Sequence, residues 1–172
     1  CFIEHAAGGA KADTIIGNEL DNEIMGFGGN DTMYGGKGND IFDLDISSRG
    51  GKDSMFGGEG DDTYYLGVES DEVIENKDAG HDLVIISFQE SYILPANVEE
   101  VRAEGSLSYK LEGNDLDNII HGSPQDDRLT GNEGADVFLL YSGMGNDLIT
   151  DFNEAEGDTV KLAYGLTEYF YT

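Results

Sequence analysis

Proline is nearly missing from this 172-residue chain, with 2 residues, tryptophan is absent, and cysteine occurs once. Two prolines against 25 glycines exclude a collagen-like or stiff polyproline architecture. A lone Cys1 excludes an internal disulfide framework and a cysteine-based metal motif, and is expected to mark a cut in a longer chain. No apolar run approaches the ~18 residues of a membrane span, the longest candidate being the strand-length Leu83–Ile86, so no membrane insertion is expected. No N-terminal signal peptide is visible. Basic residues are scarce as well: 9 against 36 acidic ones leave a net charge of −27, with a pI near 4.1. Such a surface repels nucleic acid and anionic lipid and attracts cations. Low hydrophobicity with this charge predicts disorder unless something neutralises the carboxylates.

What the chain does have is a repeat. Gly35–Asp43 reads Gly-Gly-Lys-Gly-Asn-Asp-Ile-Phe-Asp and returns at Gly57–Tyr65 as Gly-Gly-Glu-Gly-Asp-Asp-Thr-Tyr-Tyr. Glycine falls at position four, aspartate at six and an apolar residue at eight. The sixth positions Asp13, Asn22, Asp31 and Asp40 are nine residues apart, with apolar partners Ile15, Ile24, Met33 and Phe42. Four extra residues within Leu44–Ser47 delay the next unit to Asp53 with Met55. Asp62 with Tyr64, Asp71 with Val73 and Asp82 with Val84 follow. Ile85–Glu112 loses the aspartates but keeps strand character, with Val84, Ile86 and Phe88 alternating and Val98 and Val101 flanking a second extended stretch. The register then resumes with Asn118, Asp127 and Asp136, partnered by Ile120, Leu129 and Phe138, and continues to Asp147 and Asp158.

Each position has a chemical reason. Glycines such as Gly35, Gly36 and Gly38 let the backbone turn tightly and aim carbonyls at one point. The aspartate adds a hard anionic oxygen. Calcium takes six to eight oxygens from carboxylates and carbonyls together, more than one turn supplies. The three strand residues place position eight inward. Two units then make one coil, with parallel strands stacking coil on coil and same-side turns two units apart. The expected fold is all-β, a parallel β-roll with a C-terminal cap. Asp31 is expected to share an ion with the Asp53 turn, Asp40 with the Asp62 turn, and Asp127 with the Asp147 turn. The candidate metal residues are Asp13, Gly29, Asp31, Gly36, Gly38, Asp40, Gly51, Asp53, Gly58, Gly60, Asp62, Gly80, Asp82, Asp127, Gly134, Asp136, Gly145 and Asp147.

These residues resemble the glycine-rich nonapeptide of the RTX family of secreted bacterial proteins, a calcium-binding parallel β-helix repeat. Phe2–Gly9 is similar to the segment that leads into the repeats of serralysin-type metalloproteases and other RTX enzymes, and Gly134–Leu162 to the segment that closes those rolls. Leu66–Glu112 is similar to a recurring spacer without ordered ions. The resemblance implies several calcium ions, export by type I secretion machinery and an extracellular location. The aromatic Leu166–Thr172 is either part of a secretion signal or a point of truncation. Lys11, Gln125 and Leu116 replace the position-four glycine, and Asn22 and Asn118 replace the acid, so those turns are expected to bind weakly or not at all. The expected blocks are residues 1–65, a spacer at 66–112 and a second block at 113–172, with calcium concentrated over Gly26–Asp82 and Asp127–Asp147.

A single Gly-Asn-Asp is an ordinary surface turn. Seven copies with glycine at four and aspartate at six, ending at Asp31, Asp40, Asp53, Asp62, Asp82, Asp136 and Asp147, argue otherwise. Phe42, Tyr64 and Phe138 are expected in the core, and His5, His81 and His121 on the solvated surface. The zinc-protease His-Glu-x-x-His, Gly-x-Ser-x-Gly and phosphate-cradling motifs are absent. In the pairs Asp61-Asp62 and Asp126-Asp127 only the second carboxylate should face the turn. The expectation is therefore a monomeric calcium-binding module without catalysis, folding on calcium and attached to a larger secreted protein. A module of a secreted protease or polysaccharide-modifying enzyme, and an adhesive ligand-binding surface, are the alternatives; the upstream sequence would separate them.

Overall fold

The computed structural model describes residues 4–43, 51–66, 71–87, 89–141 and 145–163. The insertion at Leu44–Ser47, Phe88 and the aromatic Leu166–Thr172 lie outside these residues. Strands and turns are the only elements among the described residues, and they fall into two units.

The first unit, Cys1–Ile85 with Pro95–Asn97, carries β1 (His5–Ala7), β2 (Thr14–Ile16), β3 (Glu23–Met25), β4 (Thr32–Lys37), β5 (Ile41–Asp43), β6 (Ser54–Glu59), β7 (Thr63–Leu66), β8 (Glu72–Ile74) and most of β9 (Leu83–Ile86). Odd-numbered strands form one sheet and even-numbered strands another, each strand pairing with the one two places on. Pairing is parallel and in register: Ile24 lies beside Phe42 and Phe42 beside Tyr64, while Met33 lies beside Met55 and Met55 beside Val73. Two repeats per coil follow directly, because a strand and its partner are separated by two turns and one strand of the opposite sheet.

The second unit, Ile86–Leu94 with Val98–Thr172, repeats the plan. Its strands are β10 (Ser91–Ile93), β11 (Glu100–Ala103), β12 (Lys110–Glu112), β13 (Ile119–His121), β14 (Arg128–Thr130), β15 (Val137–Tyr141), β16 (Leu148–Ile149) and β17 (Thr159–Ala163). Even and odd strands again separate into two parallel sheets. The chain is thus built as a parallel β-roll.

Position eight supplies most of the core, Ile15 near the N-terminus being only half-buried. Ile24, Met33, Phe42, Met55, Tyr64, Val84, Ile120, Leu129 and Phe138 are fully buried, and Val73 nearly so. Strand alternation turns these side chains between the two sheets, and each contributes roughly 1.5–3 kcal/mol of apolar burial. Phe42 and Tyr64 stack at 4.9 Å. Val84 and Ile86 are buried as the alternation requires, but Ile85 is buried too, so β9 is covered on both faces. β17 pairs with β15, and Phe152 packs against Phe138 at 6.4 Å. Phe152, Val160 and Leu162 remain about half exposed.

Candidate metal centre

The turns between strands bring the aspartates into vertical lines. In the first unit Asp40 Oδ1 accepts the Asn22 N–H at 2.7 Å, Asp62 Oδ1 accepts the Asp40 N–H at 2.7 Å, and Asp82 Oδ1 accepts the Asp62 N–H at 2.8 Å. The opposite side repeats this through Asp13, Asp31, Asp53 and Asp71, with distances of 2.8, 2.7 and 3.2 Å. In the second unit one line runs from Tyr109 through Asp127 to Asp147, and the other from Asn118 through Asp136 to Asp158. The turns matched in sequence as Asp31 with Asp53, Asp40 with Asp62 and Asp127 with Asp147 are therefore stacked neighbours.

In four of these aspartates one carboxylate oxygen holds the line together and the other is left over, whereas Asp13, Asp127 and Asp158 turn Oδ2 to the N–H groups of Gly9, Ser123 and Asn153. Oδ2 of Asp31, Asp40, Asp62 and Asp136 is buried without a hydrogen-bond partner. A buried acceptor left unsatisfied costs about 1–3 kcal/mol, and more when charged. Burial accordingly lifts the carboxyl of Asp62 to about 8 and those of Asp40 and Asp136 to about 6, with neighbouring carboxylates adding to the effect. Burial raises Asp53 and Asp147 as well.

Glycine lets the next turn come close enough to add carbonyls. Gly36 and Gly58 take φ of 121° and 122°, and Gly29, Gly38, Gly51, Gly60, Gly134 and Gly145 are also in the positive-φ region. A Cβ on Gly58 would overlap the Gly36 carbonyl oxygen, and one on Gly60 the Gly38 carbonyl oxygen. Gly80 differs: it lies outside the positive-φ region and is required because a Cβ there would strike the Gly60 carbonyl. Gly35 also serves by lacking a side chain, since Asp40 Oδ2 occupies that space. Phe27 and Asn132 hold the position-two conformation without being glycine, at φ of 66° and 72°.

The lines offer carboxylate and carbonyl oxygens, several of the carboxylate oxygens buried without a hydrogen-bond partner. This oxygen set fits a hard divalent cation such as calcium. Compared with known families, the chain matches the RTX calcium-binding nonapeptide repeat, a four-copy unit, over residues 7–42, 45–73 and 112–149. The chain belongs to the RTX calcium-binding repeat family. A search of curated proteins finds no match.

Within this RTX roll the paired acids divide by exposure: Asp62 and Asp127 are buried, Asp61 and Asp126 exposed. Asp61 and Asp126 instead accept the backbone N–H groups of His81 and Asn146 on the neighbouring turn. Asn22 and Asn118 turn their Oδ1 atoms back onto the N–H groups of Asn18 and Asn114 in their own turns. Lys37 and Lys52 pair with Glu59 and Glu72 on the next coil at 2.9 and 3.3 Å, as exposed ion pairs of little energetic weight.

One expectation is corrected. His121 is not solvated: it is 8% exposed, and its Nε2 lies 2.7 Å from Glu100, which also meets Arg102. Parallel pairing of β11 with β13 sets His121 beside Arg102, and the Glu100 carboxylate reaches both, covering the imidazole. His5 and His81 are exposed.

Two features were not anticipated from sequence. Asp71 and Asp158 belong to the lines, accepting the N–H groups of Asp53 and Asp136, although they were not among the candidate ligands. Glu75 is 8% exposed, and its Oε1 accepts a hydrogen bond from the Tyr64 hydroxyl inside the roll. With Asp62 and Asp82 it forms a cluster whose ligand atoms lie within 4.8 Å of one another. The available signal was register: Phe56 pairs with Ile74, so Glu75 stands across from Gly57, where other units have glycine.

Proposed function

We propose that this chain is a non-catalytic calcium-loaded folding module of a larger, type I-secreted bacterial protein, disordered in the calcium-poor cell interior and folded outside. The observation that carries the reading is the set of stacked aspartates whose second carboxylate oxygens are buried without partners. Asp13, Asp31, Asp53 and their glycines Gly29 and Gly51 would supply ligands along one side. Asp40, Asp62 and Asp82, with Gly36, Gly38, Gly58, Gly60 and Gly80, would supply the other. Asp127, Asp136 and Asp147, with Gly134 and Gly145, would serve the second unit, leaving residues 66–112 after Asp82 held mainly by packing.

Calcium, when bound, supplies the positive charge that the crowded carboxylates lack. The chain's own residues do the rest: Oδ1 of the stacked aspartates fixes the stacking distance, the partnerless Oδ2 atoms of Asp31, Asp40, Asp62 and Asp136 are left for an ion, and glycine admits the carbonyl beneath. Without the ion, glycine ordering and carboxylate repulsion oppose folding, so binding and folding are coupled. Extracellular calcium modules bind at roughly 10⁻⁴–10⁻³ M, which matches such a switch.

Limited proteolysis tests it. The chain in millimolar calcium should give a resistant core spanning the repeats, and chelator should make the same region cleavable throughout. Equal resistance in both conditions would remove the proposal.

A further inference from the structure

Among the described residues, the Asp62 turn gathers a third carboxylate that the repeat does not call for. Glu75 follows β8 and enters from inside the roll. A Cβ built on Gly57 would overlap Asp62 Oδ2, Glu75 Oε1 and the Tyr64 hydroxyl together, so three oxygens converge on the space left by one missing methyl group. Asp62 is 1% exposed and its Oδ2 has no hydrogen-bond partner. The oxygens of Asp62, Glu75 and Asp82 lie within 4.8 Å of one another. Ligands held 2.3–2.6 Å from one ion are separated by at most about 5 Å, so a single ion can touch all three.

We propose that Asp62, Glu75 and Asp82 form a three-carboxylate cation site, with Glu75 a ligand outside the repeat pattern, and that this site is the tightest in the chain. The inference rests on the calcium reading above and adds a specific ligand and an order of filling. Calcium affinity in oxygen sites rises with the number of charged ligands and with their rigidity. Both favour this site. Its three carboxylates are already gathered, and Glu75 is fixed at both ends. Tyr64, fully buried and stacked on Phe42, holds Oε1 through its hydroxyl, and the Glu75 carbonyl accepts the Asn97 side-chain N–H at 3.0 Å. Tyr64 is thus a positioning residue, and an ion bound here would lie beside its ring.

That proximity supplies the assay. With no tryptophan in the chain, tyrosine is the donor for sensitised emission from bound terbium(III). Terbium is titrated into wild type, Tyr64→Phe and Glu75→Gln, with calcium displacing it afterwards. The site predicts that the first equivalent bound gives the strongest emission in wild type. Tyr64→Phe should lose most of that emission while still binding the ion. Glu75→Gln should move the midpoint of this phase at least tenfold to higher terbium and calcium, and Glu154→Gln, the same change at an exposed residue of the second unit, should leave it in place. Should Glu75→Gln fail to fold in saturating calcium, Tyr64→Phe decides alone, because it keeps the ring and all three carboxylates. Unchanged emission in Tyr64→Phe, or an unchanged midpoint in a folded Glu75→Gln, overturns the proposal. If wild type shows no calcium-dependent structure at all, the calcium-module reading falls instead.

Discussion

Replacing Asp62 with asparagine should act in opposite directions with and without calcium. Asparagine has the same shape, and its Oδ1 can still accept the Asp40 N–H now held at 2.7 Å. Only the charge and the ligand oxygen at Oδ2 are lost. In the metal-free fold the Asp62 carboxyl is pushed by burial from 3.8 to about 8. At about 1.4 kcal/mol per unit, forming that fold at pH 7 costs about 4 kcal/mol at this residue, which solvent reaching the turn reduces to about 2 kcal/mol. The neutral amide never bears this penalty, so the metal-free fold of Asp62→Asn gains about 2 kcal/mol. In calcium the same change removes a direct ligand. Groups that merely support a ligand already account for about 10–100-fold in metal affinity, so the calcium midpoint should rise at least about tenfold. Far-UV circular dichroism reads both effects, first in chelator with a stabilising osmolyte raised until the chain folds, then across a calcium titration. Asp62→Asn should need less osmolyte and more calcium than wild type. A shift of the same sign in both conditions would refute the charge argument.

Three further outcomes follow from the same geometry. Gly58→Ala forces a side chain into φ of 122° and against the Gly36 carbonyl, and should destabilise the calcium-loaded roll by about 1–3 kcal/mol in urea unfolding, whereas an exposed change such as Lys37→Ala should move it by less than about 1 kcal/mol. Phe42→Ala empties the centre of the Phe42–Tyr64 stack and should cost about 3–5 kcal/mol by the same assay. The third outcome concerns pH. Asp40 and Asp136 at about 6 and Asp62 at about 8 all lie above their unfolded value of 3.8. Between those values the metal-free fold binds more protons than the unfolded chain, so its stability falls as pH rises from about 4 through 6 to 8. Acidification in chelator should therefore increase β-structure by circular dichroism, while apparent calcium affinity measured by calorimetry should weaken over the same interval.

Most of the architecture was legible because the repeat encodes it locally. Position eight predicted Ile24, Met33, Phe42, Met55, Tyr64, Ile120, Leu129 and Phe138 as core, and each is fully buried. Alternation along a short strand leaves no other face for them. The two-unit coil followed from geometry too, since only that arrangement stacks Asp40 on Asp62 across 22 residues. Contacts that depend on how one coil sits on the next were not legible. Glu75 resembles a solvated strand end until the pairing of Phe56 with Ile74 sets it across from Gly57. His121 resembles a surface histidine until Glu100 on the adjacent strand covers it. Asp158 lay on the register, yet its place in a line became visible only through its bond to the Asp136 N–H at 3.0 Å.

The central claim is that calcium binding and folding are one event, and it is tested most directly by following both in a single titration. Bound calcium, measured by equilibrium dialysis, and β-structure, measured by far-UV circular dichroism, should rise together from a disordered chain in excess chelator. Full β-structure in chelator, or calcium uptake that leaves the spectrum unchanged, would contradict the account.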